Sequence, residues 1–343
     1  ANPHEQPDST TDHHARMRCL VTGGGGFIGS HIVDRLLAEG HEVRVLDNFS
    51  TGDRRNLLHV AGDVDIVEGD MRSFERAATA MRGVQLVFHQ AALPSVPRSV
   101  ADPLTTSEVN VTGTLNVLLA ARDAGVERLV YASSSSVYGS IEAERKHEDL
   151  PIAPMSPYAV AKYAGEANCR AFHHVYGLET VAIRYFNVFG PRQSPVSEYA
   201  AVVPNFIVAA LLGEQPTIHG DGLQSRDFTY IDNVVQANLL AATSPGVAGE
   251  VFNIAMGDTH SLLDLLHAIE AISGAALDPI HTAGRAGDVR MSLADTTKAR
   301  ERLGYEPTVG FADGLQLTFD ALAGDESVLP RIHDARRWAA AGA

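Results

Sequence analysis

The sequence predicts a doubly wound α/β fold, in which helices cover both faces of a parallel sheet, followed by a smaller C-terminal α/β domain. Short apolar runs alternate with stretches of helical period from Met17 to about Asn187. A glycine-rich turn joins the first run to the first helix. Beyond Asn187 the elements shorten, and Gly and Pro become frequent.

Residues 1–16 are polar and aperiodic and read as a tail outside the fold. Cys19-Leu20-Val21 forms the first strand, and Ile28, Ile32, Val33, Leu36 and Leu37 then recur at helical spacing. Val43 and Val45 alternate into Asp47. Ile66-Val67, Leu86-Val87-Phe88, Leu129-Val130-Tyr131 and Val181-Ala182-Ile183 give further strands. Helical stretches separate them, the clearest through Leu115, Leu118 and Leu119. Continuous apolar runs suit strands buried on both faces, and right-handed crossovers wind the sheet outward in both directions. These elements define a domain over 17–187. A second, over 188–330, draws on 204–212, 216–219 and 262–272, with 232–255 expected to return to the first domain.

Composition excludes several classes of function. The 343 residues carry 27 Lys and Arg against 42 Asp and Glu, a net charge of −15. Such a chain repels a phosphate backbone or an anionic membrane, and an anionic substrate would need its own cluster of Arg. Two cysteines, Cys19 and Cys169, build no disulfide framework and show no metal-ligand spacing. No apolar run approaches the ~20 residues of a membrane span. The chain reads as a soluble cytoplasmic protein.

Thr22–Gly29 follows the first strand and opens the first helix. Gly23, Gly26 and Gly29 allow a sharp turn and a close approach of diphosphate to backbone amides, with Phe27 and Ile28 presenting theirs at the helix N-terminus. Asp47 ends the next strand about 20 residues on, where a carboxylate holds a ribose diol. The loop therefore reads as a Rossmann-like dinucleotide site. Asp47 favours NAD over NADP, since it repels a 2′-phosphate, although Arg54 and Arg55 lie close in sequence.

Tyr158 and Lys162 stand one turn apart on one helix face. With nine tyrosines and three lysines in the chain, roughly 0.08 such pairs arise by chance. An ammonium beside a phenol stabilises the phenolate and makes tyrosine a usable base. Ser133-Ser134-Ser135-Ser136 follows the strand 129–132, at the ligand crevice of such a sheet. A hydroxyl there can relay a proton to the phenolate; spacing alone leaves open which serine acts.

These motifs together resemble the extended short-chain dehydrogenase/reductase family, in particular its nucleotide-sugar 4-epimerases. Further linked segments carry the resemblance: 46–52, Gly69-Asp70-Met71-Arg72, His89-Gln90-Ala91-Ala92 and 184–192. It implies that Asn48, Ser50, Thr51, Gly52, Asp70, Met71, Ala91, Ala92 and Phe186 join the glycine loop, Tyr158 and Lys162 around NAD. It implies Ser134, Tyr158 and Lys162 as the catalytic set. Ser135, Asn187, Arg192, Val202, Thr217, His219, Arg226, Arg285, Asp288 and Ser292 would line the nucleotide-sugar site. Tyr158 would take the O4 proton while hydride leaves C4 for the nicotinamide. The keto sugar would then turn over and receive hydride on its other face. Related dehydratases and decarboxylases usually carry an acid where Ser135 and Ser136 stand, which disfavours elimination. Ser292 replaces a large gate residue and leaves room beside C2. Arg192 presents a fork to a C6 carboxylate, which favours UDP-glucuronate over UDP-N-acetylglucosamine or UDP-glucose. The resemblance also implies a homodimer through helices near 105–124 and 157–176.

Overall fold

The computed structural model describes residues 16–196, 201–284 and 290–341. Six strands open the chain: β1 (Arg18–Thr22), β2 (Glu42–Asp47), β3 (Val64–Glu68), β4 (Leu86–His89), β5 (Arg128–Ser134) and β6 (Glu179–Tyr185). Between them run α1 (Phe27–Ala38), α2 (Phe74–Ala80), α3 (Val96–Ala101), α4 (Pro103–Ser107), α5 (Thr114–Ala124) and α6 (Pro157–Tyr176). Each strand anticipated from an apolar run is present, and their pairings are parallel.

Alternate residues of β1 show why the run is apolar throughout. Cys19 and Val21 enter the core beneath α1, whereas Leu20 enters the core shared with α2 and α5. Cys19 and Cys169 lie in those two different cores, both as buried free thiols. Ser156 caps α6 by accepting from the Ala159 amide, Pro157 occupies its first turn, and Gly177 at φ 73° ends it.

The remaining elements are β7 (Val188–Phe189), α7 (Val202–Leu212), β8 (Thr217–His219), β9 (Ser225–Arg226), β10 (Thr229–Tyr230), α8 (Ile231–Thr243) and β11 (Val251–Ile254). After them come β12 (His260–Ser261), α9 (Leu262–Ser273), β13 (Ile280–Thr282), β14 (Met291–Ser292), α10 (Thr297–Leu303), α11 (Phe311–Gly324) and α12 (Val328–Ala341). The strand β11 pairs with β6 and completes a seven-stranded sheet of order β11-β6-β5-β4-β1-β2-β3. The order reverses between β1 and β4, so the crevice at their carboxyl ends is where a ligand enters. None of the described helices is long and apolar enough to cross a membrane.

One local departure matters for that crevice. The expected helix over 105–124 contains a π-helical turn, Glu108–Gly113, between α4 and α5. The widened turn carries the buried Asn110, whose side chain accepts from the Leu93 amide at 2.7 Å and donates to the Leu93 carbonyl at 3.0 Å. The loop after β4 is thereby fixed at the crevice wall.

Candidate functional site

The crevice is a cleft of about 1230 Å³ over the carboxyl ends of the strands. Its glycines answer to three different constraints. Gly23 sits at φ 70°, and a Cβ there would lie 2.7 Å from the Ala91 nitrogen. A Cβ on Gly29 would fall 2.1 Å from the Gly23 carbonyl oxygen, so helix and turn pack only through glycine. Gly26 meets just the Gly23 oxygen, at 3.1 Å, and its open side faces the cleft it lines. This is the division of labour a diphosphate cradle requires. Asp47 ends β2 with Oδ2 accepting from Gly25 and Oδ1 from Phe49, each at 2.8 Å. Burial pushes its pKa up while those amides pull it down. The Asn48 amide bonds the same carboxylate; a carboxylate has about four acceptor positions, so capacity for a ribose hydroxyl remains.

The two arginines that complicated the NAD preference are occupied. Arg54 stacks 4.1 Å over the Phe49 ring and pairs with Glu68 at 2.6 Å, while Arg55 pairs with Asp53. Neither stands ready for a 2′-phosphate. Asn48, Ser50, Thr51, Gly52, Asp70, Met71, Ala91 and Ala92 also line the cleft. Asn48 donates to Asp70 at 3.0 Å, and Arg72 grips the same carboxylate at 2.8 Å. A dinucleotide fits this lining.

Phe186 is fully buried in a cluster with Val137 and Tyr138. Its neighbour Tyr185 lines the cleft, donating to Gln90 at 3.0 Å.

At the end of β5, Tyr158 and Ser134 share a hydrogen bond, and Ser134 also accepts from the Ser136 amide at 3.2 Å. Lys162 donates to the Ala132 carbonyl at 2.8 Å, and its Nζ lies 5.8 Å from the centre of the Tyr158 ring. Burial pushes the phenol up to about 12, with Ser134 acting against it. Burial also pushes the ammonium down to about 8, with Glu166 acting against it. Each group by itself resists charging.

Behind this set lies a buried polar chain. Arg184 grips Glu166 with two bonds of 2.8 Å, and Glu166 accepts from the Ser133 hydroxyl. Arg184 also donates to the Tyr138 hydroxyl at 2.8 Å, which donates to Asn253 on β11 at 2.7 Å. On the other side, Thr114 donates to the Asn110 carbonyl and so must accept from His89 Nε2, while Thr22 faces Nδ1 at 2.7 Å. Burial, with Lys162 nearby, pushes His89 down to about 3, so it bridges β1 and α5 as a neutral ring.

The substrate-side residues fall into two groups. Asn187 and Arg192 line the cleft, at φ 33° and 66°. Thr217 and His219 lie instead on β8, which pairs with β13, and Arg226 and Ser292 lie on β9 and β14, which pair with each other. Ser292 pairs in register with Arg226, and Gln224 donates to the His219 carbonyl at 2.6 Å. Val202 opens α7, and Ser135 follows β5. Arg285 and Asp288 lie outside the described residues. The guanidinium of Arg192 is already paired with Asp34 of α1 at 2.7 Å, which corrects its reading as a free fork. Sequence reasoning missed Arg98 and Arg331, both on the cleft wall. Arg98 follows the motif 89–92 within ten residues, a signal that could have been used; Arg331 has no local signal.

Among the described residues, the non-glycine residues with positive φ are Phe49, Ser95, Asn187 and Arg192, and all line the cleft or adjoin residues that do. Strain concentrated this way accompanies a built site.

The fold and this site define a dinucleotide-dependent enzyme. The chain belongs to the NAD dependent epimerase/dehydratase family, whose model matches residues 19–255. It is 42% identical over 313 residues to a UDP-glucose 4-epimerase of Mycolicibacterium smegmatis, covering 89% of this chain and 98% of that one. Two solved structures are similar at 38% identity. One is the UDP-glucose 4-epimerase of Thermotoga maritima, with TM-score 0.85 over 89% of this chain and 98% of the other. The second is a UDP-N-acetylglucosamine 4-epimerase of Methanobrevibacter ruminantium, with TM-score 0.86 over 90% and 98%.

Proposed function

We propose that the protein inverts C4 of a UDP-hexose, with Tyr158 as the base, Ser134 as its hydrogen-bonding partner and Lys162 as the charge that supports the phenolate. The observation that carries this reading is the convergence of these three side chains where β5 meets the glycine-loop cleft. NAD, when bound there, accepts and returns hydride and adds positive charge beside the phenol. The chain's own residues do the rest. The Gly23–Gly29 turn and Asp47 hold the dinucleotide, Tyr158 takes the O4 proton and gives it back, and Ser134 keeps the phenol oriented. Residues 133–139 hold no carboxylate that could drive elimination.

A neutral hexose is the first reading, because Asp34 already neutralises Arg192. The small Ser292 leaves room for an N-acetyl group. UDP-glucuronate is the second reading, favoured by one atom: Nη1 of Arg192 is buried with no hydrogen-bond partner among the described residues. Relative rates with UDP-glucose, UDP-N-acetylglucosamine and UDP-glucuronate, followed by proton NMR, decide between them. We expect the neutral sugars to react faster and Arg192→Ala to change their rates by less than about threefold. Fastest turnover of UDP-glucuronate, lost in Arg192→Ala, would establish the second reading.

A homodimer is part of the proposal. Val100, Leu104, Val160 and Tyr163 expose apolar surface on the packed helices α3, α4 and α6, a face suited to a second copy.

A further inference from the structure

The end of the chain takes part in the dinucleotide cleft. Leu322 on α11, together with Val328 and Arg331 on α12, lines the same cleft as Gly26, Phe27 and Asp53. The segment is anchored, since Leu322, Val328 and Ile332 are buried in the core that also holds α1. Two side-chain bonds tie it to the nucleotide side across almost the whole sequence. Arg331 donates to Asp53 at 3.3 Å, and Arg55 donates to Ser327 at 3.3 Å. Asp53 is in turn bound to the glycine turn, its amide donating to the Gly25 carbonyl at 2.8 Å, with Asn56 donating to the same oxygen at 2.9 Å.

Charge gives this arrangement a purpose. The cations on the cleft wall among the described residues are Arg72, Arg98, Lys162, Arg192 and Arg331. Arg72 is gripped by Asp70, Lys162 sits at the end of β5, and Arg192 is paired with Asp34. Arg331 is held less closely, its pair with Asp53 spanning 3.3 Å, and Asp53 is the residue whose backbone holds the glycine turn, where a dinucleotide diphosphate would lie. Burial and the neighbouring Arg55 disfavour its charge while Asp53 and Asp325 support it, and an added diphosphate on the cleft side would support it further.

We propose that Arg331 binds the diphosphate of NAD and that residues 322–331 form a strap that must lift before the cofactor leaves. The strap rests on apolar burial and on exposed polar ties that are individually weak, so it slows release without forbidding it. Retention would matter for an enzyme that regenerates its cofactor within each turnover.

The test is release of a fluorescent etheno-adenine analogue of NAD, preloaded on the full-length protein and chased with excess NAD. Arg331→Ala is expected to release it at least about tenfold faster than wild type, with Arg331→Lys intermediate because it keeps the charge and loses the fork. Arg55→Gln cuts the tie to Ser327 and is expected to speed release by about two- to fivefold. If Arg331→Ala fails to fold, Arg331→Lys and Arg55→Gln carry the test. Release within twofold of wild type in the variants that fold would overturn the strap. NAD content of the purified protein is a separate readout. A wild type that neither retains nor binds the dinucleotide would overturn the cofactor assignment, and the strap with it.

Discussion

Tyr158→Phe is expected to lower kcat by about 10³-fold while the protein stays folded, because it deletes one hydroxyl at the reacting centre. The same site predicts a pH signature. The phenol is pushed up to about 12 by burial, and the ammonium of Lys162 stands 5.8 Å from its ring. An ammonium on that side favours the phenolate. The rate in wild type should therefore rise with pH along a limb set by the phenol. In Lys162→Met that limb should move higher, since the phenolate loses its counter-charge. A pH profile of kcat/KM measures both effects. An unshifted limb in Lys162→Met would remove Lys162 from its supporting role.

Glu166→Ala is expected to cost about 3–5 kcal/mol of stability, a large part of what a domain this size has. The Arg184 and Glu166 side chains are 3% and 1% exposed. Burial alone would lower the Arg184 pKa, but the Glu166 contacts hold it up, so the guanidinium stays charged. Removing the carboxylate strands that charge in the interior and deprives the Ser133 hydroxyl of its acceptor. Urea unfolding reads the loss directly as a lower midpoint at unchanged slope. Glu166→Gln keeps the shape and should lose less. An Ala variant within about 1 kcal/mol of wild type would show that water or a neighbour replaces the carboxylate.

The site lies one residue and one turn from this pair. Ser133 precedes Ser134 on β5, and Glu166 follows Lys162 on α6, so a single buried contact locks strand to helix where the reacting groups stand. Through Tyr138 and Asn253 it also reaches β11, the strand contributed by the later part of the chain.

How much of this was readable depends on the range of the physics involved. The six strands and the first helix were legible because continuous apolar runs and a 3.6-residue period are local signals. So were Gly23, Gly26, Gly29 and Asp47, because a turn between strand and helix and the acid that ends the next strand are local too. Tyr185 on the cleft wall was not singled out, because which face of β6 meets the cleft is set by the fold and not by the local pattern. Arg192 was recognised as a cation near the site, but no sequence pattern shows that Asp34, far away in the chain, already holds it. Glu166 carries no local signal, since its partner Arg184 meets it only through the fold. The strap at 322–331 was invisible for the same reason, since its partners Asp53 and Arg55 lie some 270 positions earlier. Tertiary contacts of that separation leave no periodicity to read.

We propose that C4 is inverted when its hydrogen leaves as hydride to a dinucleotide held by the glycine turn and returns to the other face, while Tyr158 takes the O4 proton and gives it back. Incubating the purified protein, without added cofactor, with UDP-glucose deuterated at C4 tests it most directly. The account predicts that the 4-epimer forms until both epimers coexist at a constant ratio, with deuterium retained at C4 of each. Loss of the deuterium to solvent, or accumulation of a 4-keto-6-deoxy sugar in place of the epimer, would contradict it.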